Sequence, residues 1–187
     1  MWSPELPRKI PSMTRLLAAL ALAGLTAGCF QPLYGEKSAG GAGLVDKMST
    51  VEVAPLNVPK GTRLSRVGGE IRNELIYELT GGGGAGTTSY RLDIKLNSSL
   101  RSVIVDIDTA RPELQNYGID AVYSLTEVGT GKQVVNGTTF SRVSYNIPGQ
   151  QQRFAGDRGL RDAENRAAKV IADNIRTRLA SYFAAGT

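Results

Sequence analysis

The chain has 187 residues, with 22 Lys+Arg against 17 Asp+Glu, a formal net charge of +5 and a sequence pI near 9.5. It contains no histidine and a single cysteine, Cys29. That composition excludes an intramolecular disulfide, Cys–His and Ser–His–Asp catalysis, and the side chain that most often serves as general base or metal ligand near neutrality. No dense Lys/Arg run is present, so nothing marks a nucleic-acid partner, and no spacing recommends carboxylate-only catalysis or a cofactor.

The chain opens on a leader. Leu16–Leu25 is an apolar run of about ten residues, preceded by Arg15 and, further upstream, Arg8 and Lys9. Such a run fits the h-region of a secretory signal and falls short of the roughly 20 apolar residues that span a bilayer. A start at Met13 would by itself make a well-proportioned leader. Residues 1–12, with Pro4, Pro7 and Pro11, therefore read as an extension.

Leu25-Thr26-Ala27-Gly28-Cys29 ends the apolar run in the manner of a bacterial lipobox. Cleavage before Cys29, with diacylglycerol on the thiol and an acyl group on the new amine, is the expected processing. Thr26 stands where leucine is usual. Phe30 replaces the aspartate that retains many lipoproteins at the inner membrane, so outer-membrane sorting is expected. Each buried methylene contributes about 0.8 kcal/mol and two chains already anchor stably, so three hold permanently. Removing residues 1–28 leaves 19 basic and 16 acidic residues. That mild excess suits an anionic lipid or an indifferent soluble surface equally well.

Residues 29–47 are expected as a lipid-anchored tether, their second half small and polar from Glu36 to Lys47. Residues 48–183 follow as one domain, and 184–187 as a tail. Val51-Glu52-Val53 alternates as a short strand, closed by Pro55 and Pro59. Thr62–Thr80 predicts a helix with Val67, Ile71, Leu75 and Leu79 on one face, stopped by Gly81. Gly68 and Gly69 inside it cost about 1 kcal/mol each against alanine, which a close helix–sheet approach would explain. Gly81–Thr88 nearly fits a phosphate-binding loop, but Thr87 occupies the lysine position and a helix precedes it where a strand is required.

Tyr90–Leu96 is the cleanest strand, with Arg91, Asp93 and Lys95 on the face opposite Tyr90, Leu92, Ile94 and Leu96. The pattern continues less tidily to Ile107. Tyr117–Leu125 alternates again, and Gly129–Lys132 signals a hairpin into Gln133–Tyr145. Asp157 is expected to cap a long helix, 158–183, whose stripe runs through Leu160, Ala163, Ala167, Ile171, Ile175 and Leu179. The order β-α-β-β-β-α, with strands apolar on one face only, predicts an α+β two-layer sandwich. It is a four-stranded, mainly antiparallel sheet with two helices on one face. The other face would meet water or a partner.

Cys29-Phe-Gln-Pro-Leu-Tyr-Gly35 resembles the opening of the outer-membrane LPS-assembly lipoproteins of the LptE family. Arg66–Leu75, Tyr123–Thr126, Phe140–Tyr145 and Ala172–Leu179 are similar to that family as well. The resemblance implies a non-enzymatic subunit of the lipopolysaccharide translocon that plugs an LptD-type β-barrel. It would assist assembly of the barrel and insertion of lipopolysaccharide into the outer leaflet. It also implies basic contacts to lipopolysaccharide, for which Arg101, Lys132 and Arg142, near strand ends, are candidates beside their reading as solvated surface charges. A rival is an auxiliary lipoprotein of a phospholipid ABC transport system, which would need a large apolar groove. The sequence offers no spare apolar face for one.

Overall fold

The computed structural model describes residues 43–82, 86–105, 112–147 and 153–185. Seven elements follow in order: α1 (Leu44–Ser49), β1 (Val51–Val53), α2 (Arg63–Thr80), β2 (Tyr90–Val105), β3 (Pro112–Glu127), β4 (Gln133–Asn146) and α3 (Arg153–Ala184). The four strands form one sheet in the order β1-β2-β3-β4. The α+β sandwich is therefore as expected, with one refinement. β1 pairs with β2 in parallel, Val51 opposite Tyr90, and the other two pairs are antiparallel. A parallel neighbour requires a crossover of a dozen residues or more, and α2 supplies it.

Alternation along the strands decides which side of the sheet is dry. Leu92, Ile94, Ile119, Ala121, Tyr123, Leu125, Val135, Val143 and Tyr145 point to one face and are buried. Against them lie Val67, Ile71, Leu75 and Leu79 of α2 and Leu160, Ala163, Ala167, Ile171, Ile175 and Leu179 of α3. Burying one such Leu or Ile contributes about 1.5–3 kcal/mol, so this single layer is the dominant stabilising term. Tyr90 and Phe183 close one end with an edge-to-face contact at 5.2 Å.

Local chemistry sets the element ends. The Thr62 hydroxyl accepts from Ser65 N–H at 3.2 Å as the N-cap of α2, and Gly81 terminates it with φ 65°. Of the two glycines inside α2, only Gly68 is required. A Cβ there would lie 3.2 Å from Leu56 Cδ2, whereas one on Gly69 meets nothing within 4 Å.

Two elements begin earlier than the sequence pattern suggests. Leu44–Lys47, expected as tether, belong to α1: Met48 is buried, Leu44 packs against the core, and the Asp46 carboxylate accepts from Gly43 N–H at 3.1 Å. α3 starts at Arg153, so Asp157 lies inside the helix and does not cap it.

The α2–α3 seam holds a second layer of charge. Glu78 sits among Glu74, Asp173, Lys169 and Arg176. Burial lifts its carboxyl above the ordinary carboxylate value, outweighing the opposing pull of Arg176. A carboxyl raised in the folded state lends stability below the ordinary pKa and loses it as pH climbs through the folded one. Glu78→Gln is thus expected to be more stable than the parent near neutrality and indistinguishable from it in acid. Urea midpoints measured at the two pH extremes check this.

Candidate functional site

The sheet face away from the helices is open, and the strand register shows what it carries. β2 contributes Arg91, Asp93, Lys95, Asn97, Ser99 and Arg101. β3 contributes Ser124, Val122, Asp120, Gly118 and Asn116, and β4 contributes Asn136, Thr138, Phe140, Arg142 and Ser144. Amide, hydroxyl and charged side chains make up most of it, with Val122 and Phe140 exposed at 54% and 67%. Such a surface suits a hydrated, polar partner better than lipid tails.

Two open grooves cross this face. One, of about 520 Å³, runs between Asp93, Lys95, Ser124, Asn136 and Thr138, beside Pro55 and Asn57. The other, of about 580 Å³, lies toward the far end of the β2–β3 hairpin and is lined by Asn97, Ser99, Arg101, Asn116, Asp120 and Arg142.

Arg142 organises the second groove. Its Nη1 donates to the Ile119 and Ser141 carbonyls at 2.9 and 3.0 Å, and its Nη2 donates to Asp120 Oδ1 at 2.6 Å. Its guanidinium also lies 5.5 Å from the centre of the Phe140 ring. The side chain can lie flat across the sheet because Gly118 is opposite it in register. A Cβ on Gly118 would fall 2.9 Å from Arg142 Cδ and 2.8 Å from Ser99 Oγ. A glycine inside an alternating strand is the sequence mark of such close approach. The partners Asp120 and Phe140 become legible only once the register is known.

The three candidate cations are therefore not equivalent. Arg101 and Arg142 share one groove. Arg142 is neutralised in part by Asp120, an exposed pair worth about 0–1 kcal/mol. Arg101 is exposed and has no ion-pair partner among the described residues. Lys132 occupies the β3–β4 turn, where its carbonyl accepts from Glu127 N–H at 2.9 Å. At about 3.3 Å per strand residue it stands roughly 30 Å from Arg142. Cys29 lies outside the described residues.

Among the described residues no three His, Cys, Asp or Glu side chains gather into a possible metal site. No described helix is long and apolar enough to cross a membrane.

Comparison with known proteins agrees with this architecture. A crystal structure of a protein from Caulobacter crescentus CB15, assigned as a lipoprotein, superposes with a TM-score of 0.59 at 24% identity, covering 78% of this chain and 98% of its own. The minor lipoprotein of Acinetobacter baumannii superposes with a TM-score of 0.50 at 12% identity, covering 70% of this chain and 88% of its own. At those identities the likeness establishes the fold. None of the curated proteins matches the chain. The family model LptE, described as lipopolysaccharide-assembly, matches residues 48–179, from the first buried residue of α1 to the last fully buried leucine of α3. That span holds all four strands, α2 and most of α3, and the chain belongs to the LptE lipopolysaccharide-assembly family.

Proposed function

We propose that this chain is the lipid-anchored outer-membrane subunit of a lipopolysaccharide translocon, held in the periplasmic leaflet through acylated Cys29 and seated in the lumen of an LptD-type β-barrel. In that position it helps the barrel assemble and takes part in delivering lipopolysaccharide to the outer leaflet, without catalysing a reaction. The observation that carries the reading is the open sheet face. It is broad, polar and grooved, on a domain whose other side is fully used for its own core. Barrel lumens are polar, so a surface of Asn, Ser, Thr and scattered charge matches one without stranding apolar area in water. The phospholipid-transport alternative needs an apolar groove, and the groove around Arg142 is open and lined mainly by charged, amide and hydroxyl side chains.

Lipopolysaccharide presents phosphates and hydroxyls. The groove between Arg101 and Arg142 offers a cation with no ion pair among the described residues, a partly neutralised one, and amide and hydroxyl groups to receive them. Reversing the charge at Arg101 is expected to weaken binding of a soluble form to labelled lipopolysaccharide by about tenfold, equivalent to about 1.4 kcal/mol. Lys132→Glu, on a turn remote from the Arg101–Arg142 groove, is expected to change it less. Equal losses from both would argue for diffuse electrostatics over a groove.

The reading as a whole is tested by mild detergent extraction of native membranes. Stoichiometric recovery with a large β-barrel is expected, together with failure of that barrel to fold when the chain is depleted. Recovery of the chain alone, with barrel folding unaffected, would refute it.

A further inference from the structure

β4 is the terminal strand of the sheet, and among the described residues no strand pairs with its outer margin. Ile147 N–H donates to Glu113 O, so the odd-numbered residues of β4 make the ladder to β3. The N–H and C=O groups of the even-numbered residues, from Asn136 to Asn146, consequently point away from the sheet. No backbone hydrogen bond from the described residues reaches them. Natural sheets guard such margins with lysine, proline, inward charges or short length. β4 has 14 residues, no lysine, no proline and one charge, Arg142, which is turned back onto Asp120 and two carbonyls.

A ridge of α3 runs along the same margin. Asn174 Nδ2 donates to Thr139 Oγ1 at 3.0 Å. Arg178 acts electrostatically on the Tyr123 hydroxyl, which itself abuts Gly137, a Cβ there falling 2.6 Å from it. Arg178 and Asn174 therefore follow β4 from 137 to 139, and the same four-residue spacing continues the ridge through Val170 and Arg166. Val170 is 44% exposed. Arg178 is exposed and has no ion-pair partner among the described residues, whereas Arg166 is paired with Asp162.

We propose that the free margin of β4 receives a fifth strand from a partner polypeptide, paired through the outward backbone groups from Asn136 to Asn146. The charge around the slot defines that strand. Its side facing the helices carries an apolar residue against Val170 and an acidic one against Arg178, and its other side lies beside Phe140. Backbone bonds supply affinity in such additions, and alternate side chains supply selectivity.

Amide hydrogen exchange distinguishes strand addition from side-chain contact, because only strand addition protects every second residue. The full-length chain in native outer-membrane vesicles is expected to exchange at least tenfold more slowly than the isolated soluble chain at Thr138, Phe140, Arg142 and Ser144. The odd-numbered amides should be equally protected in both. No difference at the even positions would overturn the proposal. Slow exchange of those amides in an isolated chain that sediments as a dimer would overturn it too, in favour of self-pairing.

Thr138→Pro and Ser144→Pro remove outward donors without touching the β3–β4 ladder, since proline is tolerated where its missing N–H faces solvent. Each is expected to abolish the alternate protection and to release the chain from any larger detergent-extracted complex, with its melting temperature unchanged. Should the proline variants misfold, Arg178→Glu, on an exposed helical position, reports the same interaction. At least a tenfold loss of complex is expected, and full retention would overturn the acidic-strand assignment.

Discussion

Replacing Arg66 with alanine is expected to destabilise the domain by about 3–5 kcal/mol, more than any other single loss on its surface. Glu164 projects from the middle of α3 into the core side of the helix and is only 3% exposed. Its Oε2 is held by Arg66 Nη2 from α2, and Arg66 Nη1 donates to Asn165 Oδ1 at 3.0 Å. Beneath it, the Tyr117 phenol is pushed above its ordinary pKa, first by burial and then by the Glu164 carboxylate. Removing the guanidinium leaves a buried carboxylate without its ion-pair partner, and that penalty exceeds the value of the pair itself. The double variant Arg66→Leu with Glu164→Leu is accordingly expected to regain most of the loss, since apolar pairs of similar volume often replace buried ion pairs without cost. Urea denaturation of a soluble form, with the two single variants and the double, measures this. Equal destabilisation by the single and double variants would mean that the two helices are positioned by packing alone.

The second large effect contrasts neighbours on β3. Ile119→Ala is expected to cost about 2–5 kcal/mol, because the side chain is fully buried between sheet and helices and its removal leaves a cavity the layer cannot close. For a domain of this size that corresponds to a fall in melting temperature of about 2–4 °C per kcal/mol. Val122→Ala, three residues on and facing the other way, is expected to change stability by less than about 0.5 kcal/mol. If Val122 contacts a barrel wall, the same substitution weakens co-extraction of the complex while leaving the isolated domain as stable as before. The pair thus separates residues that hold the fold from residues that meet a partner.

These two faces were legible in the sequence to different depths. Period-two alternation in Tyr90–Leu96 and Tyr117–Leu125, and the three- and four-residue steps of Val67–Leu79 and Leu160–Leu179, announce one dry face and two helices covering it. The reason is that burial of apolar area dominates the energy and imprints its period directly on the chain. Element starts are carried by weaker signals. α1 depends on Met48 finding the core, and α3 begins ahead of its apolar stripe, so neither start was legible.

The candidate surface was less accessible, because nothing periodic encodes which of its side chains meet. Arg101, Lys132 and Arg142 look alike as cations near strand ends. Their separation into one shared groove and one distant turn comes from register. Gly118 offers a hint, since a glycine in an alternating strand implies that something lies close above it. That the occupant is Arg142 is a fact about two strands. Glu164 is harder still. Its partner lies 98 residues away, and only the α2–α3 contact turns a lone charge on an apolar stripe into half of a buried pair.

By itself the sequence determined the apolar run that precedes Cys29, the absence of histidine, the element order and the one-sided apolar faces. Each of these is written in composition or in short-range spacing. The tertiary structure alone decided that β1 lies parallel to β2, that Gly118 makes room for Arg142, that Arg66 reaches Glu164, and that the α3 ridge follows an unguarded β4. Those features depend on which residues meet across strands and between layers. A chain position specifies its own preferences, and its neighbours in space are chosen only when the whole core closes.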